Sequence, residues 1–210
     1  MKDYNVYLFD FDGCLVDSLE SMEYIYLSAF EKVGLKAKKE EVIGYMREPL
    51  DKTFLDRGGK IEDYPEFVKW IIFYLDDKKS ILATKLFDDT LKIIDFLKKK
   101  NKKIGIITSN STKHVLEVLE HLNIDKNIFD VIVAYDSTKK HKPDPDPVLK
   151  GLELLNAQAN NEAVYVGDAL DDMKAGKGAG IDTILIDRFG DHNDYKETKI
   201  VSLMELVKWL

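Results

Sequence analysis

The sequence predicts an α/β protein: a doubly wound parallel sheet with a block of helices inserted early in the chain. Three observations carry this. Short β-branched apolar runs recur, nearly continuous rather than alternating, as strands covered on both faces require. Amphipathic helical patterns separate them. The chain after the first run reaches residue 104 before another convincing strand appears.

Taken in order, the first strand is expected over Val6–Phe9 and ends in Asp10-Phe11-Asp12-Gly13. Residues 18–83 then read as helices, in "SLESMEYIYLSAFEKVG", "KKEEVIGYM", "PLDKTFLDRG" and "YPEFVKWIIFYLDDK", punctuated by Gly34, Gly44 and Gly58-Gly59. This is too much chain for one crossover helix. It is expected to form a helical domain of its own, residues 18–83, with residues 1–17 and 84–210 as the core. Asp17 or Ser18 is the expected cap of its first helix.

In the core, "DDTLKIIDFLKKK" puts Leu91, Ile94 and Leu97 on one helical face, with Asp88 or Asp89 as cap and lysines in the last turn. A strand at 104–107 follows, then a helix carrying Val115, Leu116, Leu119 and Leu122. A strand at 131–134 leads into the proline-rich "HKPDPDP" and a helix with Val148, Leu149, Leu152 and Leu155. The last strands are expected at 163–166 and 183–186. Gly176 and Gly180 between them allow close packing and end a helix.

Composition narrows the function. The 210 residues carry a net charge of -7 with both signs interspersed, which argues against nucleic acid or an anionic membrane as partner. The single cysteine, Cys14, rules out an intramolecular disulfide and fits a reducing compartment. No run has the length of a membrane span and no signal peptide is evident, so a cytoplasmic protein is expected. Its state is expected to be a monomer or a weak homodimer.

Ligands of open α/β sheets bind outside the carboxyl ends of the strands. The expected strands end there in Asp10 and Asp12, in Thr108-Ser109-Asn110, in a lysine-bearing loop, and in Gly167-Asp168 followed by "ALDD". Carboxylates crowded at one rim repel each other unless compensated. A hard cation such as Mg²⁺ resolves the repulsion and shares its remaining sites with water and phosphate. Asp10, Asp12 (by side chain or backbone carbonyl) and Asp168 are the candidate ligands. Thr108 or Ser109 suits phosphoryl oxygens, and a loop lysine balances phosphate and nucleophile. An aspartate nucleophile with a second acid two residues on matches phosphoryl transfer through a phosphoaspartate.

The four segments, in order, resemble the haloacid dehalogenase superfamily. "DFDGCLVDS" is similar to its first motif, "IGIITSN" to its second, "KPDP" to its third and "YVGDALDDMKAGKGAG" to its fourth. The resemblance spans Asp10 to Gly180. It implies a Rossmannoid core with an α-helical cap, Mg²⁺ dependence, Asp10 as nucleophile and Asp12 as general acid and base. It implies Thr108 as the hydroxyl, Lys142 as the lysine, Asp168 as metal ligand and Asp172 as a further acid, bound to metal or in the outer shell. Ala169 stands where the usual pattern has serine. Ser109 and Asn110 are expected phosphate contacts. Arg47, in "IGYMREPL", is the expected substrate contact of the cap, suited to a carboxylate or second phosphate. Among relatives the chain looks most like phosphoglycolate phosphatases and β-phosphoglucomutase-like proteins.

The expected function is therefore Mg²⁺-dependent hydrolysis of a small phosphorylated metabolite. A phosphomutase uses the same two aspartates and is the first rival. A dehalogenase fits poorly because Asp12 is present. A phosphonate hydrolase needs a marked cap lysine, and neither Lys52 nor Lys60 is marked. A non-catalytic binding protein of the same fold is the rival from another class. His114, His121, His141 and His192 show no metal spacing and are expected on the surface or in loops.

Overall fold

The computed structural model describes residues 3–160 and 162–209. Strands β1 (Val6–Phe9) and β2 (Val16–Asp17) come first. Helices α1 (Leu19–Lys32), α2 (Val42–Arg47), α3 (Leu50–Asp56), α4 (Tyr64–Leu75) and α5 (Lys78–Ala83) follow. The chain continues through β3 (Lys85–Leu86), α6 (Thr90–Lys99), β4 (Lys103–Ile107), α7 (Thr112–His121), β5 (Val131–Val133) and α8 (Asp146–Leu154). It ends with β6 (Ala163–Gly167), α9 (Leu170–Gly178), β7 (Asp182–Ile186), β8 (Lys199–Ile200) and a 3₁₀ segment, Leu203–Trp209.

Two compact units emerge: Met1–Asp17 with Leu86–Leu210, and Ser18–Lys85. In the first, six strands form a parallel sheet in the order β5-β4-β1-β6-β7-β8. The expected doubly wound α/β sheet is thus present. The chain winds from β1 to β4 on one side and to β6 on the other, which opens a crevice at the carboxyl ends of these strands. Register aligns that rim: Phe9 is level with both Ile106 and Val166, so each strand releases its next residues at nearly the same height.

The sheet is apolar on both faces, and Tyr7, Leu8 and Phe9 are fully buried. One core layer joins Leu8, Val133, Val148, Leu152 and Tyr165. Each such side chain contributes about 1.5–3 kcal/mol by leaving water. Gly176 is required by packing, since a Cβ there would lie 2.5 Å from Thr183. Helices α6, α7 and α8 are each followed by an asparagine with positive φ: Asn101 (55°), Asn123 (55°) and Asn156 (49°). Asparagine tolerates that left-handed geometry better than other non-glycine residues and so stops the helix.

The helical unit has its own core. Phe67 lies with its ring centroid 4.7 Å from those of Phe30 and Phe54, and Ala29, Val42 and Tyr45 close around them. Ser18 occupies the position before α1 but makes no capping bond. No helix among the described residues is long and apolar enough to cross a membrane.

Candidate active site

The site grows from the carboxyl end of β1. The Asp10 amide donates to the Val166 carbonyl at 2.8 Å, extending the ladder one residue and aiming the acid past the strand end. The chain then turns: Leu15 and Val16 amides both donate to the Phe11 carbonyl, at 2.9 and 3.0 Å. Gly13 makes the turn possible. Its φ is +70°, and a Cβ there would stand 2.1 Å from Asp168 Oδ2. The backbone of the turn therefore rides directly against the Asp168 carboxylate.

Asp10 Oδ1 accepts from Lys142 Nζ at 2.6 Å, and the same ammonium donates to Asp172 Oδ1 at 2.7 Å. Asp10, Asp168 and Asp172 are all buried, with ligand atoms within 4.8 Å of one another. Gly167 admits Asp172 beside β6, since a Cβ there would meet Asp172 Oδ2 at 2.4 Å. Asp172 is fully engaged: Oδ1 faces Lys142 and the Tyr165 hydroxyl (2.9 Å), and Oδ2 accepts from the Ala169 amide (3.0 Å). Substitution of the usual serine by Ala169 leaves that backbone bond intact.

Electrostatics follows from burial. Burial pushes Asp10 well above the usual carboxylate range; Lys142 opposes this, while the Asp172 and Asp168 charges add to it. Burial alone would discharge Lys142, but Asp10 and Asp172 hold it well above the ordinary lysine range. One ammonium thus pairs with two of the three clustered carboxylates. This donor set, hard oxygens with an excess of negative charge, suits a divalent cation.

On the other side of β1, Asp12 is half-buried and its Oδ2 accepts from Asn110 Nδ2 at 2.5 Å. Thr108 is buried, and its Oγ1 accepts from the Asn110 amide at 3.1 Å. Ser109 is exposed beside them. Helix α7 is capped by Ser111, whose hydroxyl accepts from the His114 amide at 3.2 Å, so neither Thr108 nor Ser109 is needed as its cap. The structure therefore gathers Asp10, Asp168, Asp172 and Lys142 in one cluster, and Thr108, Asn110 and Asp12 in an adjoining chain of hydrogen bonds. Arg47 belongs to the helical unit. It ends α2 and lines a cleft of about 440 Å³ with Tyr45, Thr53 and Arg57.

Some features escaped the sequence reading. Tyr165 sits inside the apolar run of β6, yet its hydroxyl lies 3.2 Å from Lys142 Nζ and 3.1 Å from the Ile107 carbonyl. A phenol in a buried parallel strand was the signal available. His114 is buried at 2% exposure, contrary to the expectation of a surface residue, because α7 turns it inward with Val115 and Val118. His192 lies in the loop after β7, where its ring reaches the Asp168 carbonyl at 2.9 Å.

Residues 7–186 match the family model described as haloacid dehalogenase-like hydrolase. A protein named pyrophosphatase PpaX from Bacillus velezensis is 32% identical over 87% of this chain and 82% of its own length. A protein named phosphoglycolate phosphatase from Aquifex aeolicus is 31% identical, covering 86% of this chain and 83% of its own. A haloacid dehalogenase-like hydrolase from Streptococcus pneumoniae shares the fold, with a TM-score of 0.85 at 22% identity over 98% of both chains.

Proposed function

The chain belongs to the haloacid dehalogenase-like hydrolases, and we propose that it is a Mg²⁺-dependent phosphatase of a small phosphorylated metabolite, working through a phosphoaspartate at Asp10. One observation carries the reading: residues from three separate strand ends, Asp10, Lys142 and the pair Asp168 and Asp172, meet in a single buried cluster.

Asp10 and Asp168 would hold the cation, with the backbone carbonyl of Asp12 beside them. When bound, Mg²⁺ supplies neutralising charge to the phosphoryl oxygens and the nucleophile. Asp172, whose oxygens already hold Lys142, Tyr165 and Ala169, chiefly fixes the lysine. Lys142 keeps Asp10 aimed and offers positive charge to the transferring phosphoryl group.

Asp10 Oδ2 attacks phosphorus, and the bond from phosphorus to the leaving oxygen breaks. Asp12 gives that oxygen a proton, Asn110 holding the carboxyl in place. The Asp12 carboxylate then takes a proton from water as the water oxygen attacks phosphorus. Phosphate departs and Asp10 is regenerated. Thr108, Ser109 and Asn110 bind phosphoryl oxygens, and Arg47 is the proposed substrate contact of the helical unit. The named relatives make pyrophosphate and phosphoglycolate the first substrates to try.

Hydrolysis of a generic aryl phosphate, with Mg²⁺ and after EDTA treatment, tests the reading, followed by a panel holding pyrophosphate, phosphoglycolate, sugar phosphates and nucleotides. Mg²⁺-dependent release of phosphate is expected. Activity that survives metal removal, or full activity in a folded Asp10→Asn variant, contradicts it.

A further inference from the structure

We propose that the loop after β7 is a two-point clamp that sets the metal-binding geometry through Arg188 and His192, both positioning residues. The inference rests on the phosphatase reading above.

The loop is tied down from within. Asp187 is 3% exposed, and its Oδ1 accepts from the amides of Asp191 (3.0 Å) and His192 (3.4 Å). Its Oδ2 accepts from Lys199 Nζ at 2.9 Å, and Lys199 also donates to the His192 carbonyl at 3.0 Å. The loop is thereby closed on itself and anchored to β8.

From this base two donors reach the site. Arg188 gives Nε (3.2 Å) and Nη2 (2.8 Å) to the carbonyl of Cys14, in the turn that carries Asp10 and Asp12. Its other side pairs with Asp89 at 2.9 and 3.2 Å, and its guanidinium stacks 3.8 Å above the Phe87 ring. Asp89 is held in turn by Ser202 Oγ (2.7 Å) and the Leu203 amide (2.8 Å). The arginine therefore has little freedom to move. His192 makes the second contact. A carbonyl only accepts, so Nε2 carries the proton and donates to the Asp168 carbonyl at 2.9 Å.

These two contacts grip the two segments that meet where Gly13 rides against Asp168. Neither donor lies among the reacting groups. What they control is the spacing between the first turn and Asp168, on which metal affinity depends. Partners one step behind a ligand typically change affinity 10–100-fold when removed.

The experiment titrates Mn²⁺ into metal-free protein and reads free Mn²⁺ by electron paramagnetic resonance, with no substrate present. Variants are H192A, H192Q, R188A and R188K, with circular dichroism to confirm folding. H192A and R188A are expected to weaken Mn²⁺ binding about 10-fold or more. H192Q, whose amide still donates to a carbonyl, should recover most of the affinity. R188K keeps the charge beside Asp89 but not the paired donors on Cys14, and should bind weakly even if R188A fails to fold. At saturating Mg²⁺, kcat should fall less than the half-saturating Mg²⁺ concentration rises. H192A binding Mn²⁺ as tightly as wild type overturns the clamp alone, as does H192Q binding no better than H192A. A wild-type protein that binds no Mn²⁺ overturns both the clamp and the phosphatase reading.

Discussion

Lys142 Nζ lies 2.6 Å from Asp10 Oδ1, pairing residues 132 positions apart in the chain. Both side chains are nearly buried, at 8% and 9% exposure, so the pair cannot lean on solvent when broken. Replacing Lys142 by methionine leaves Asp10 and Asp172 buried without the ammonium that pairs them. The metal-free K142M protein is expected to lose about 3 kcal/mol of stability, the scale for uncoupling a buried pair. Mg²⁺ should restore part of it by binding the folded state. Urea unfolding in EDTA and in Mg²⁺ measures both, and equal midpoints for variant and wild type in EDTA would contradict the prediction.

In the proposed mechanism Asp12 handles protons in both halves of the reaction. D12A is expected to lower kcat by roughly 10²–10⁴-fold, the usual worth of a positioned acid or base. With an aryl phosphate, whose leaving group needs little help, the first half should suffer less than the second. Rapid-quench kinetics should then show a burst of aryl alcohol followed by slow turnover. N110A removes the donor 2.5 Å from Asp12 and should show a milder form of the same pattern. Equal loss in both halves would contradict these roles.

Gly13 is predicted to tolerate no side chain. G13A combines a left-handed residue, costing about 1–2 kcal/mol, with a Cβ 2.1 Å from Asp168 Oδ2. The carboxylate must move, so the half-saturating Mg²⁺ concentration should rise at least about 10-fold. An unchanged Mg²⁺ dependence would show that Asp168 does not need its present position.

The Asp89–Arg188 contact predicts a pH dependence of stability. Burial works against the charge on Asp89, but hydrogen bonds from Arg188 and Ser202 overcome it and hold the carboxyl below the usual aspartate range. A depressed folded-state pKa means that the contribution is full above the unfolded value and is lost as pH falls through the folded value. D89N should cost about 1.5–3 kcal/mol near neutrality. The gap from wild type should close only in acid, below the ordinary aspartate range. Urea midpoints measured across pH test this, and a gap that stays constant into strong acid would contradict it.

How much of this was legible in the sequence depends on the reach of each signal. The strands at 6–9, 104–107, 131–134, 163–166 and 183–186 announced themselves because parallel strands are apolar on both faces. β8 did not, since two residues carry no period. The acids at the rim were legible because β1 and β6 are each followed directly by an aspartate, and a single register brings those ends level. Asp89 takes the expected N-cap position, but its side chain does not cap. It stands at the start of α6 but spends its carboxylate on Arg188, Ser202 and Leu203, partners far along the chain. Arg188, His192 and Tyr165 were missed for the same reason. Each acts through a contact with a backbone carbonyl or a buried acid that no local spacing encodes.

In the proposed mechanism Asp10 takes the phosphoryl group onto its own oxygen. An acyl phosphate is reduced by borohydride, which converts the aspartate that carried it into homoserine. Acid-quenching the enzyme during turnover, treating it with borohydride and reading the peptide by mass spectrometry should place homoserine at position 10 in D12A, whose second step is slowed. Reduction at another aspartate, or none at position 10 while turnover proceeds, would exclude Asp10 as the nucleophile.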